Sequence, residues 1–123
     1  MQNDNSDFKK EFVARLVRFT IAILRLASKL RDDRNLWAVA DQVIRSGSSV
    51  GANVVEAKAA SSRRDYIKFF EIALKSANET RYWLIVIREY NAAYKSESDT
   101  LLVETDEICK IIGSSVLTLK GKK

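Results

Sequence analysis

The chain has 123 residues, of which 46% are hydrophobic and 30% charged, and this composition is typical of one globular domain with its own core. Its formal net charge of +5 and pI near 9.4 permit a polyanionic partner without requiring one. The absence of histidine excludes histidine general bases and histidine metal ligands. A single cysteine, Cys109, excludes an internal disulfide and a structural zinc site.

Membrane and export signals are missing from the sequence. The longest uncharged run, 46–55, is about half as long as a membrane-spanning helix requires. Residues 1–7 have neither the basic start nor the apolar centre of a signal peptide. We therefore expect a cytoplasmic protein with no membrane partner, no metal and no cofactor.

The first two predicted elements are amphipathic helices. The first runs from about residue 7 to 30, with Ser6 or Asp7 as its cap, and the second from about 36 to 59. A charged link at 31–35 joins them. The apolar stripe of the first helix consists of Phe8, Phe12, Leu16, Phe19, Ile23 and Leu26.

The last two predicted elements are also helices. Ser62 and Asp65 have the spacing of a capping box at the start of the third helix, which continues to about residue 91. A polar link at 95–99 precedes the fourth helix, which covers about 100–119 and ends in a frayed basic tail, 120–123.

Four helices with short links, no proline and no Asn-Gly or Asp-Gly hairpin signal predict an all-α fold. We expect one domain over residues 1–123, an antiparallel up-down-up-down four-helix bundle with a short flexible N-terminus. The third helix carries two adjacent apolar stripes, one of which contains Phe69, Ile72, Trp83 and Val86. This wide arc indicates either a surface for self-association or a central helix that packs on two neighbours.

The second helix has two contrasting faces. Valines and Ala57 lie on one side, and a polar row of Gln42, Arg45, Ser49, Asn53 and Glu56 lies on another. Gly47 and Gly51 lie between the two faces with Ser46 and Ala52, and each glycine costs the helix roughly 1 kcal/mol relative to alanine. That cost suggests a neighbouring helix that approaches closely.

The polar row has two interpretations. If the second and third helices face each other, the row forms a hydrogen-bonded network that fixes their register, with Asn53 and Glu56 buried. Otherwise the row is an exposed polar face. The residues of this candidate network are Arg45, Ser49, Asn53 and Glu56 on the second helix and Ser76 and Glu79 on the third.

A basic stripe on the first helix is the candidate nucleic-acid surface. Its residues fall on one helical face: Arg15, Arg18, Arg25 and Lys29. Arg63, Arg64, Lys68 and the basic tail add positive charge elsewhere. Phosphate contacts require only accessible basic side chains, so the stripe is either a nucleic-acid surface or the solvated face of an amphipathic helix.

No catalytic constellation stands out in the sequence. The neighbouring carboxylates Asp32 and Asp33 are predicted to be solvated, as are Asp106 and Glu107, which point about 100° apart on a helix and suit a metal poorly. We expect Cys109, among the isoleucines of the fourth helix, to be a small buried hydrophobe.

The segment 42–84 resembles a bacterial family of four-helix bundles, the 23S rRNA intervening-sequence proteins. Ser49-Val-Gly-Ala-Asn-Val-Val-Glu56 is similar to the family's Ser-Ile-x-x-Asn-Ile-x-Glu-Gly, except that Ala57 replaces the glycine. Residues 65–79 are similar to its Phe-x-x-x-Leu-x-x-Ala-x-x-Ser-x-x-Glu. The match marks Asn53, Glu56, Ser76 and Glu79 as signature positions and carries no catalytic role.

The resemblance implies a four-helix bundle that assembles as a ring, typically a homopentamer. Members are encoded within rRNA gene insertions or stand alone, RNA or DNA binding is the usual expectation, and a related branch of basic pentamers serves diversity-generating retroelements. The favoured hypothesis is therefore a non-enzymatic, ring-shaped homo-oligomer that binds RNA or DNA without reading sequence. The alternative is a protein-interaction scaffold or accessory protein, for example to a reverse transcriptase, without nucleic-acid binding of its own.

Overall fold

Four helices make up the fold of this protein in a computed structural model, which describes the backbone of residues 2–121 and the side chains of residues 7–121. The helices are α1 (Gln2–Leu30), α2 (Trp37–Ala57), α3 (Arg63–Tyr90) and α4 (Lys95–Leu119). No strand occurs in the described backbone, so the all-α prediction is confirmed. Lys122 and Lys123 of the predicted basic tail lie outside the described residues.

Successive helices run in opposite directions. Between α1 and α2, Gly47 faces Ile23, whereas Gly51, one turn later, faces the earlier Leu16. Hydrogen bonds between the other neighbouring helices show the same antiparallel order. From α2 to α3, Arg45 bonds Glu79, while the later Ser49 bonds the earlier Ser76. From α3 to α4, Arg63 bonds Leu119, while the later Arg88 bonds the earlier Asp99. α3 packs extensively on both α2 and α4, while α1 packs closely on α2 and more openly on α4, so α1 and α3 are diagonal.

The two apolar stripes of α3 are explained by its two neighbours. Phe70, one residue of the inner stripe, is buried, while Phe69 and Trp83 of the outer stripe are half-buried against the same core. Only Ile72 of the outer stripe is clearly exposed, at 37%. The structure therefore favours the central-helix interpretation of α3. Among the described helices, none is long and apolar enough to cross a lipid bilayer.

The seam between α1 and α2 depends on glycine. A Cβ atom built on Gly47 would lie 3.0 Å from Cγ2 of Ile23, whose side chain is fully buried. A Cβ atom on Gly51 would lie 3.3 Å from Cβ of Leu16, which is also buried. The prediction that the small residues admit a neighbouring helix is thus confirmed at both glycines, and that neighbour is α1.

The start of α3 agrees with its predicted cap. The Ser62 side chain accepts a hydrogen bond of 3.0 Å from the Asp65 backbone N–H, which satisfies one free donor of the first turn. The cap predicted for α1 at Ser6 or Asp7 is wrong, because both residues lie inside the helix.

The predicted link at 95–99 is also wrong, because these residues form the first turn of α4. Asn91 makes the actual break: its side chain accepts a bond of 2.9 Å from the Ala93 N–H, and a 3₁₀ turn, Ala92–Tyr94, follows. Lys95 and Asp99 then pair across one helical turn at 2.7 Å, which favours helix over link.

Phe8 was predicted in the core stripe of α1, and this is wrong. It is 60% exposed, whereas Phe12, one turn later, is buried. Phe8 instead lines an open cavity at the end of the bundle.

The glycine seam leads to a stability prediction with a matched control. Gly47→Val should lower the free energy of unfolding by about 1–3 kcal/mol, because the added carbons overpack against Ile23 in a closed site. Gly113→Val, in the second half of α4 with nothing within 4 Å of its Cβ position, should be neutral or slightly stabilising. Urea unfolding of both variants measures the difference, and equal stabilities would contradict a close-packed seam.

Candidate nucleic-acid interface

Half of the basic stripe is neutralised by acidic residues of α4. The Arg15 guanidinium donates two bonds of 2.7 Å to the Glu104 carboxylate and a third, of 3.3 Å, to Glu107. The bonds to Glu104 raise the pKa of Arg15 above its already high value, so this charge is permanent but paired. Lys29 pairs with Glu97 at 2.8 Å. These pairs attach α1 to α4, the neighbour on which α1 packs less closely.

Arg18 and Arg25 are the two members of the stripe that remain available. Both are exposed, and neither forms an ion pair with any described side chain. They are seven residues apart on the same face of α1, which separates them by about 10 Å along the helix axis. The basic stripe therefore contributes two unpaired arginines.

The beginning of α3 and the end of α4 form a denser basic site, which we call the α3 cluster. Its cations are Arg63, Arg64, Lys68 and Lys120, and they surround a depression of about 500 Å³ whose lining also includes Ile67 and one carboxylate, Glu71. Four positive charges against one negative charge leave a local excess of positive charge at this depression.

Two cations of the α3 cluster have structural partners. Arg63 donates bonds of 3.0 and 2.6 Å to the Leu119 carbonyl oxygen, which caps the end of α4. Lys120 pairs with Glu71 at 2.6 Å. Arg64 and Lys68, one turn apart, are exposed and form no ion pair with a described side chain.

The structure does not bring all the predicted basic residues together. Arg18 and Arg25 lie on α1 and the α3 cluster begins on α3, and these helices are diagonal in the bundle. The sequence reasoning missed the neutralising acids, although a signal was present. Glu97, Glu104 and Glu107 are spaced seven and three residues apart, which places them on one face of α4.

The candidate polar network joins α2 to α3, in two parts. In the outer part, Arg45 forms an ion pair with Glu79 and also bonds the Gln42 side chain, at 2.8 Å. The Trp83 indole N–H donates to Glu79 at 3.1 Å. That bond and the arginine hold the pKa of Glu79 below its usual value, so the carboxylate is charged at neutral pH.

The inner part consists of hydroxyl and amide groups. The hydroxyl oxygens of Ser49 and Ser76 lie 2.9 Å apart, and the Asn53 amide donates to the Ser49 hydroxyl at 2.9 Å. Deeper in the interface, the hydroxyl oxygens of Thr80 and Ser46 also lie 2.9 Å apart, and both residues are fully buried. These bonds support the network interpretation of the polar row.

Glu56 does not belong to this network, so the prediction that it is buried is wrong. Its side chain is exposed and forms no hydrogen bond with a described residue. Glu56 lies one helical turn after Ala52, which is also exposed. Arg45 is exposed as well, and its guanidinium reaches Glu79 on α3. Asn53, by contrast, is half-buried and bonded.

The carboxylates and the thiol of α4 serve as pairing and packing groups. Asp106 pairs with Arg81 on α3, whereas its neighbour Glu107 pairs with Arg15 on α1, as the 100° rotation between them requires. Cys109 is half-buried, and burial raises the pKa of its thiol, which keeps it protonated at neutral pH. Within residues 7–121, no three side chains of the metal-binding types lie together.

The fold and its polar interface can now be compared with known proteins. The family described as 23S rRNA-intervening sequence protein matches residues 9–114. The chain belongs to this family. The chain is also similar to a protein of unknown function from the S23 ribosomal protein family, known from a crystal structure from Bacteroides thetaiotaomicron VPI-5482. The two are 33% identical with a TM-score of 0.79, over 85% of this chain and 96% of the other. Among curated proteins, none matches the chain.

The buried hydroxyl pair of Thr80 and Ser46 leads to a second prediction. Thr80→Val keeps the side-chain shape but leaves the Ser46 hydroxyl buried without its partner, which should lower the free energy of unfolding by about 1–3 kcal/mol. Ser98→Ala is the matched control, because the buried Ser98 hydroxyl has no hydrogen-bond partner to lose. Its removal should be neutral or stabilising. Thermal unfolding measures the stability of both variants. A loss of stability in Thr80→Val alone would show that the buried hydrogen bond stabilises the fold, whereas an equal loss in both variants would contradict this.

Proposed function

We propose that this protein binds the phosphate backbone of RNA or DNA through the α3 cluster, as a non-enzymatic and self-associating protein of the cytoplasm. The observation that carries the proposal is the concentration of Arg63, Arg64, Lys68 and Lys120 around one surface depression. Of these, Arg64 and Lys68 have no carboxylate partner and are free to replace the counterions of a phosphate chain.

The shape of the basic site favours binding without sequence readout. A depression lined by four cationic side chains supplies contacts to phosphates, and phosphate contacts position a nucleic acid without reading its sequence. Arg18 and Arg25 on α1 form a second, weaker surface, since two isolated charges provide few contacts. The family description refers to 23S rRNA, which makes RNA the first ligand to test.

Self-association would bring several copies of the α3 cluster into one assembly. The exposed face of α1 carries Val17, Ile21 and Leu24 at helical spacings of four and three, each more than 40% exposed. A continuous apolar strip on an outer helix is suited to contact with a second copy of the chain. A ring, with five copies favoured by the family resemblance, would present several α3 clusters to one nucleic acid and raise its avidity.

Binding of labelled RNA and duplex DNA across a salt series tests the proposed site. The wild-type affinity should fall steeply with salt, and Arg64→Gln with Lys68→Gln should reduce the slope of log affinity against log salt by about 0.7–0.9 per lost contact. Arg18→Gln with Arg25→Gln is the charge-matched variant on the diagonal helix and should have a smaller effect. Fluorescence anisotropy measures all three proteins.

Two results would contradict this assignment. A larger effect of the α1 variant than of the α3 variant would move the interface to the basic stripe. Negligible binding of either nucleic acid at low salt would favour the protein-interaction scaffold instead, with a partner protein bound where we place the phosphates. Circular dichroism of each variant confirms that the bundle remains folded.

The self-association surface has its own test. Ile21→Lys places a charge in the middle of the apolar strip of α1 and should lower the mass in solution toward that of one chain. Val103→Lys is the control, because Val103 is a more exposed apolar residue, at 66%, on α4. Light scattering after size exclusion measures both masses. An unchanged mass for Ile21→Lys, or an equal loss in the two variants, would exclude α1 as the specific interface.

A further inference from the structure

An open cavity occupies the end of the bundle where α1 and α3 begin and α2 and α4 end. Its volume is about 750 Å³, which is within the range of small-molecule binding sites in proteins. All four helices and the link between α2 and α3 contribute to its lining. The cavity is distinct from the depression of the α3 cluster, and the two share only Arg63.

The inner wall of the cavity is apolar and aromatic. Phe12, Val54 and Phe70 contribute buried side chains from three different helices. The Tyr66 ring stacks on Phe70, with centroids 5.0 Å apart and planes inclined by 17°. Phe8 stands at the rim and is exposed to solvent. This wall offers a hydrocarbon or aromatic group a surface on which to leave water.

The charges around the cavity have one sign. Lys9 of α1, Lys58 after α2 and Arg63 of α3 contribute to its lining, and none of its described lining residues is acidic. Arg63 already donates to the Leu119 carbonyl oxygen, but Lys9 and Lys58 form no ion pair with a described side chain. The hydroxyls of Ser61 and Ser62 add polar groups to the lining. An anionic headgroup would find unpaired ammonium groups here and no carboxylate to repel it.

We propose that this cavity binds a small amphipathic carboxylate, with its apolar part against Tyr66 and Phe70 and its headgroup near Lys9 and Lys58. A cationic amphipath of the same length lacks this charge complementarity, and a neutral one gains only the apolar contact. The site is separate from the proposed nucleic-acid interface, and its test leaves the unpaired cations of the α3 cluster unchanged.

Calorimetric titration with sodium decanoate, below its micelle concentration, tests the proposal on the full chain. We expect saturable binding of one decanoate per chain and at least tenfold weaker binding of decyltrimethylammonium. Lys9→Gln with Lys58→Gln should weaken decanoate binding about tenfold. Lys75→Gln with Lys110→Gln removes the same charge from exposed positions outside the cavity and should leave the affinity unchanged.

A second variant tests the apolar wall independently of charge. Val13 is a half-buried lining residue, and Val13→Trp should fill part of the cavity and abolish saturable binding while both lysines remain. Thermal unfolding verifies that this variant is folded. The proposal is overturned by an absence of saturable decanoate binding, by equal binding of the cationic analogue, or by an equal effect of the two lysine pairs.

Discussion

The close approach of α1 to α2 at Gly47 is the constraint on which the rest of the structure depends. A Cβ atom at residue 47 would lie only 3.0 Å from the buried Ile23 side chain, so the two helices approach more closely than larger side chains allow. α2 therefore packs on α1 through one face and contacts α3 through another, which carries Ser46 and Ser49. The hydroxyl pairs of that second face then fix the register of α3.

Ion pairing between helices decides which cations of this basic chain can act on a partner. Glutamates on one face of α4 form ion pairs with Arg15 and Lys29, and Asp106 forms an ion pair with Arg81. Arg64 and Lys68 form no ion pair with a described side chain, because the nearby Glu71 is already paired with Lys120. A formal net charge of +5 is thus distributed unevenly, and the excess that we propose to contact phosphates lies at the beginning of α3.

Much of the fold could be predicted from the sequence, because helical periodicity and small residues act locally. The predicted ends of α3 and the Ser62 cap agree with the structure to within a residue. The start of α4 could not be predicted in this way, because Asn91 and a 3₁₀ turn replaced the expected polar link. The candidate nucleic-acid surface was harder to predict from the sequence than the helices. Whether Arg15 is free to bind a partner depends on its ion pair with Glu104, a residue distant in sequence.

Hydrogen–deuterium exchange of the protein with and without bound RNA tests the central claim most directly, because it locates the contact on the backbone. The account predicts slower exchange on RNA binding in peptides covering residues 60–72 and 112–121, with little change in residues 14–28. Slower exchange confined to residues 14–28 would place the nucleic acid on α1. No change in any peptide under conditions that saturate binding would contradict a phosphate-binding surface at the α3 cluster.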